Sequence, residues 1–157
     1  MATPTAGMLA PDFSAETDAG PLRLSSLLGK KIVLYFYPKD STPGCTIEAQ
    51  EFGALHARFA AAGAVVLGIS KDSVKSHQKF RAKECLPFAL VSDPGGICEA
   101  YGAWRDKKLY GREYKGIARI SFLVDERGTI AEVWDPVTAR GHAAQVLARI
   151  EGPRPAP

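Results

Sequence analysis

The run Lys31-Ile-Val-Leu-Tyr-Phe-Tyr37 restricts the fold more than any other stretch of the chain. It is β-branched and aromatic with no polar alternation, which predicts a central strand buried on both faces, with layers of structure above and below it. Ala64-Val-Val-Leu-Gly-Ile-Ser70 repeats the pattern, and Phe88-Ala-Leu-Val-Ser92 is a shorter third strand. Between these runs the periodicity changes. From about Thr42 apolar residues recur at helical spacing, with Cys45, Phe52, Leu55 and Phe59 on one stripe, and Gly63 ends that helix. A second helix is expected over Ser73–Lys83 and a short one over Ile97–Tyr101, after the turn Asp93-Pro-Gly-Gly96. Arg119–Asp125 and Ile130–Trp134 read as a hairpin around Glu126-Arg-Gly128, followed by a final helix over about Arg140–Ile150. Ahead of the first strand, Ala10–Ser14 reads as an extended lead-in. Pro21–Leu28 reads as a short helix with Ser25 as its cap.

Strands alternating with helices and then a terminal hairpin imply an α/β domain, a central mixed sheet flanked by helices in a thioredoxin-like layout. The 157 residues suit one domain, here expected over 1–151, with the proline-rich 152–157 as a disordered tail. The 20 basic and 17 acidic residues are interspersed, so no patch points to nucleic acid or an anionic membrane. No apolar run approaches membrane-spanning length, and Met1–Pro11 lacks the pattern of a secretory signal, so a cytoplasmic protein is expected. Three cysteines (Cys45, Cys85, Cys98) with no close pair argue against a secreted disulfide framework. Together with three histidines at no ligand spacing (His56, His77, His142), they also argue against a metal site. His56, His77 and His142 read as surface or hydrogen-bonded residues, and Lys39, Lys71 and Arg112 as residues of solvated loops.

Cys45 is the cysteine whose position carries chemistry. It falls at the start of the helix that follows the first buried strand, where free N–H groups and the positive end of the helix dipole face the first turn. Such positions favour the thiolate, which is the nucleophilic form. A cysteine on an apolar helical stripe is more often simple packing, but the preceding loop, Lys39-Asp-Ser-Thr-Pro-Gly44, argues otherwise. Thr42-Pro-Gly-Cys45 resembles the Cys-x-x-Cys turn of thioredoxins with a hydroxyl in place of the first sulfur. One sulfur beside one hydroxyl suits a hydrogen-bonded peroxide better than disulfide exchange.

The segment Pro38-x-x-x-Thr42-x-x-Cys45 is similar to the peroxiredoxin signature, and Tyr35–Ala49 as a whole resembles the peroxiredoxin Q branch, also called bacterioferritin comigratory protein. Leu67–Ser70, Val91–Asp93, Ala100–Trp104 and Gly116–Asp125 extend the resemblance over roughly residues 6 to 150. It implies a peroxidase without metal or other cofactor, in which Cys45 attacks the peroxide and becomes a sulfenic acid. It further implies that Thr42 hydrogen-bonds peroxide and sulfur, Pro38 walls the pocket, and Arg119 stabilises the thiolate and the leaving oxygen. Glu48, one turn after Cys45, has two readings: an acid that orients Arg119, or an exposed first-turn acid favoured by the helix dipole. The branch is often monomeric, and a monomer is expected here.

Many members of that branch carry a resolving cysteine five residues after the first, where this chain has Gln50. A second subgroup carries it on the next helix, at a position aligned with Arg81; Cys85 lies four residues further and is the resolving candidate, ahead of Cys98, which reads as core. Without an internal partner, thioredoxin, glutaredoxin or a small thiol would reduce the sulfenic acid. Two competing readings are a cysteine hydrolase or transferase with a Cys–His pair, and a thioredoxin-like binding or chaperone module in which Cys45 is only packed.

Overall fold

In the computed structural model, which describes residues 3–152, the long apolar run becomes strand β3 (Lys31–Phe36), and every residue from Ile32 to Tyr37 is buried. The hairpin β1 (Ser14–Thr17) and β2 (Gly20–Arg23), the strands β4 (Ala64–Ser70) and β5 (Leu90–Ser92), and the later strands β8 (Ile120–Val124) and β9 (Ile130–Trp134) join it. The seven form one sheet in the order β2-β1-β5-β4-β3-β8-β9. Within it β3, β4 and β5 are parallel, and the remaining pairings are antiparallel. A separate hairpin, β6 (Trp104–Leu109) with β7 (Arg112–Ile117), precedes β8. This is the mixed α/β sheet flanked by helices that the sequence predicts.

The alternation of side chains along β3 divides the core into two layers. Val33, Tyr35 and Tyr37 pack with residues of α1 (Pro43–Ala54), α2 (His56–Ala61), α3 (Val74–Glu84) and α5 (His142–Glu151). Ile32, Leu34 and Phe36 pack with Leu24, with Ile97 and Cys98 of α4 (Ile97–Ala100), and with Tyr101. Register then places the functional end of the sheet. Phe36 pairs with Ile120 across the antiparallel β3–β8 ladder, so the loop leaving β3 and Arg119, which enters β8, emerge side by side.

Four details differ from expectation. From Ser14, at the end of the extended lead-in, to Arg23 the chain forms the β1–β2 hairpin, and Leu24–Leu27 is a 3₁₀ turn with Arg23, not Ser25, at its N-cap position. Ser25 instead donates its N–H to Asp12. The helix expected from Thr42 to Gly63 is two helices broken at Leu55. The β6–β7 hairpin was not expected, because its strands are polar and mostly exposed and carry no apolar alternation. Its turn, Tyr110-Gly111, has positive φ at both residues (51° and 77°), the condition for a tight hairpin turn. The end of the proposed tail, residues 153–157, lies outside the described residues.

Gly68 shows how tightly the β3–β4 seam is packed. It pairs with Tyr35 in the ladder, and a Cβ there would stand 2.8 Å from Tyr35 Oη and 2.9 Å from Leu90 Cδ2. Tyr35 is itself stacked on Phe52 at 4.7 Å and flanked by Phe88 at 5.9 Å, so it has little room to retreat. Gly68→Ala is expected to destabilise the protein by about 1–3 kcal/mol. Urea denaturation measures this, and an unchanged midpoint would show that the seam relaxes freely.

Candidate active site

Beyond Pro38, the chain turns through an irregular loop into α1. Thr42 occupies the N-cap position in extended conformation, and Pro43 takes the first helical position, where a missing N–H costs nothing. The helical ladder opens with Thr46 N–H on Thr42 C=O at 2.9 Å. The N–H groups of Gly44 and Cys45 therefore belong to the open first turn, with the positive end of the dipole. Cys45 is on the buried stripe with Ala49 and Phe52 and is 1% exposed.

Arg119 reaches this turn from the neighbouring strand. Its Nη2 lies 3.4 Å from Cys45 Sγ, and its Nη1 donates to Glu48 Oε1 at 2.7 Å. One guanidinium thus touches both the sulfur and a carboxylate one helical turn away. A Cβ on Gly44 would lie 3.2 Å from Nη2, so the bare glycine gives the guanidinium its path. The Arg119 side chain keeps 19% exposure while the Glu48 side chain has none, so the site opens to solvent on the arginine side. Burial opposes the charge of Arg119, but Glu48 and Cys45 outweigh it and raise its pKa further.

Burial dominates Glu48, pushing its carboxyl up to about 7 against the pull of Arg119. Its second oxygen, Oε2, is buried with no hydrogen-bond partner among the described residues, as is Tyr35 Oη. Burial, then Glu48 and Cys45, push the Tyr35 phenol well up, so it stays neutral. A second cation senses the same centre. Burial and then Arg119 lower the pKa of Lys107, while Cys45 acts in the opposite direction. Lys107 is on β6, and its ammonium donates to the Ile117 carbonyl, two residues before Arg119. Its only sequence signal would have been recognition of the polar hairpin.

Thr42 Oγ1 donates to the Lys39 carbonyl at 2.8 Å rather than to the sulfur, which leaves its lone pairs to accept a hydrogen bond. Pro38 is exposed at the start of the loop. Cys85 is exposed in left-handed conformation (φ 53°) just past α3. Beside it, Glu84 accepts a 2.9 Å bond from Gln50, tying α1 to the end of α3. Arg81 is occupied with the Leu86 carbonyl and Asp18. Cys98 is buried core, as expected, and burial followed by Asp93 pushes its thiol strongly up.

No hydrogen bond among the described residues joins a histidine to Cys45. His77 is buried between Asp40 and the Val91 carbonyl, and His142 between Ser121 and Gln145. The arrangement needed for a Cys–His hydrolase is therefore not formed. Lys71 is not a solvated loop residue: it is half-buried, paired with Asp93 at 3.2 Å and Glu99 at 3.0 Å, and lies over the Trp104 ring. Arg112 is exposed but belongs to strand β7. The structure also gathers Asp40, Asp72 and His77, whose donor atoms lie within 4.8 Å of one another. Their spacing along the chain gave no hint of this. The same atoms already bond to one another's groups and to Tyr37, Ser70 and Ser76.

Residues 6–133 match the AhpC/TSA family. A Coxiella burnetii protein provisionally named peroxiredoxin Bcp is 53% identical over 146 residues, covering 92% of this chain and 97% of that protein. Peroxiredoxin Bcp of Bacillus subtilis is 46% identical over 143 residues, 90% of this chain and 91% of its own length. Among solved structures, bacterioferritin comigratory protein of Xanthomonas campestris, described for its alkyl peroxide reduction activity, superposes with a TM-score of 0.87. It is 41% identical, and the match covers 93% of this chain and 97% of that one.

The raised Glu48 pKa has a definite sign in folding. The folded carboxyl holds its proton to about pH 7, whereas the unfolded one releases it near 4.5. Its contribution is fully present below pH 4.5 and is lost as pH rises through 7. Glu48→Gln is expected to remove a decline on the order of 2–3 kcal/mol between pH 4.5 and 8. Urea unfolding of both proteins at the two pH values checks this, and parallel pH dependences would refute it.

Proposed function

The chain belongs to the AhpC/TSA family and is a thiol peroxidase of the Bcp, or peroxiredoxin Q, branch, and we propose that Cys45 is the sulfur that attacks its peroxide. The observation that carries this assignment is the Arg119 guanidinium, 3.4 Å from Cys45 Sγ at the mouth of α1. A fixed positive charge and two open N–H groups stabilise the thiolate, and no adjacent base is required.

The thiolate attacks the terminal oxygen of a hydroperoxide, the S–O bond forms as the O–O bond breaks, and the electron pair leaves on the distal oxygen. That oxygen takes a proton from water, giving alcohol from an organic hydroperoxide or water from hydrogen peroxide, and Cys45 becomes a sulfenic acid. Arg119 meets negative charge both on the sulfur and on the departing oxygen, and Glu48 aims it. Thr42, whose hydroxyl proton is committed to Lys39, accepts the hydrogen bond of the incoming peroxide. Pro38 shapes the outer wall of the pocket. Alkyl hydroperoxides are included as substrates on the strength of the activity described for the Xanthomonas campestris relative.

Recycling follows one of two routes: attack on the sulfenic acid by Cys85 after the first turn of α1 unwinds, or attack by thioredoxin, glutaredoxin or a small thiol. Either route expels water and leaves a disulfide. The exposure of Cys85 and the bond linking its neighbour Glu84 to α1 support the internal route. The three free thiols suit a reducing compartment, and the reading is of a monomeric cytoplasmic enzyme acting as a single domain.

Hydrogen peroxide consumption with dithiothreitol tests the assignment. Cys45→Ser is expected to abolish turnover, Arg119→Met to lower it roughly 10²- to 10³-fold, and Thr42→Val about 10- to 100-fold. Full activity in Cys45→Ser would reject the mechanism. Intact mass after one equivalent of peroxide separates the recycling routes. Loss of two hydrogens, abolished by Cys85→Ser, identifies Cys85 as the resolving thiol, whereas gain of one oxygen identifies an outside reductant.

A further inference from the structure

Asp40 is buried within the loop that carries Pro38 and Thr42, and its side chain does not belong to the peroxide-reducing set. Its carboxylate accepts from Tyr37 Oη at 2.6 Å and from Ser76 Oγ at 2.8 Å, and lies 2.7 Å from His77 Nδ1. These bonds tie the loop to Tyr37, just past β3, on one side and to the first turns of α3 on the other. Burial pushes the Asp40 carboxyl up, but the bonds from His77, Tyr37 and Ser76 more than offset it and hold the pKa below the usual value.

The backbone of the same residue completes a second connection. The Asp40 N–H donates to Asp72 Oδ2 at 2.8 Å, and Asp72 Oδ2 also accepts from Ser70 Oγ at 2.7 Å. The other end of that peptide group is the Lys39 carbonyl, which accepts the Thr42 hydroxyl at 2.8 Å. A planar peptide directs its N–H and C=O in opposite directions, so one rigid unit runs from Asp72 to the Thr42 side chain. The following residue, Ser41, has a φ of 63°, a conformation that a serine holds only when its surroundings impose it.

We propose that Asp40 and Asp72 are positioning residues for peroxide, which fix the Lys39–Asp40 peptide and thereby the orientation of the Thr42 hydroxyl. This rests on the reading of Cys45 as the attacking sulfur and of Thr42 as the acceptor of the peroxide hydrogen bond. Loss of either acid frees the peptide to turn. Thr42 then presents its proton or its lone pairs in several directions, while Cys45 and Arg119 remain in place.

The test compares two reagents on the same sulfur. In a Cys85→Ser background, which removes the exposed thiol so that the signal comes from Cys45, peroxide and iodoacetamide rates are measured by stopped flow on the reduced protein. Asp40→Asn is expected to slow the reaction with hydrogen peroxide roughly 10- to 100-fold. The iodoacetamide rate, which reports thiolate and access but needs no oriented hydroxyl, is expected to stay within about twofold. An unchanged peroxide rate overturns the proposal, and so does a parallel change in both rates, which would place the effect on the sulfur itself. Should Asp40→Asn fail to fold, Asp72→Ala, which removes a half-buried anchor, is read in the same way. A parent protein whose Cys45 ignores peroxide would refute the peroxidase assignment. A reactive parent with an equally reactive variant refutes only the positioning role.

Discussion

A guanidinium that touches a sulfur and a carboxylate at once is the constraint around which this molecule is arranged. Arg119 enters the site with one nitrogen on Cys45 and another on the fully buried Glu48. Neither contact is cheap in isolation, since each removes a charged or polar group from water. Together they leave the arginine few alternatives. Glu48 binds one edge of the fork, the absent side chain at Gly44 clears the other, and the sulfur is what the free edge meets. The site draws its electrostatics from groups that the fold holds rigid before any substrate arrives.

That arrangement depends on long-range registry. Arg119 and Cys45 are 74 residues apart and meet because β3 and β8 pair antiparallel with Phe36 opposite Ile120. A slip of one residue in that ladder would reverse which face Arg119 presents. The β3–β4 seam, where Tyr35 fills the space that Gly68 leaves, locks the same strand from the other side. The packing of the interior and the chemistry at its rim thus share one strand.

Much of this was legible from the residues alone. The buried runs at 31–37 and 64–70 announce themselves because both faces are apolar, and the Thr42–Cys45 turn stands out because it follows such a run directly. Arg119 became recognisable only through resemblance, since a single arginine before a strand has no signature of its own. What escaped notice has physical causes. The β6–β7 hairpin is polar on both sides and makes no demand on the core, so hydrophobic periodicity says nothing about it. Lys107 was lost with it. Asp40 is 32 residues from Asp72 and 37 from His77, and the three converge only in space. The break at Leu55 falls inside a continuous helical pattern, with no proline at the junction to mark it.

That break has a mechanical consequence. Because the helical ladder is broken at Leu55, backbone hydrogen bonding does not carry a distortion at the start of α1 on into α2. Phe52 of α1 and Phe59 of α2 are each anchored in the same core from their own helix. The discontinuity works as a firebreak in the backbone, separating the turn that carries Cys45 from α2 while Phe52 and Phe59 hold the hydrophobic floor beneath it.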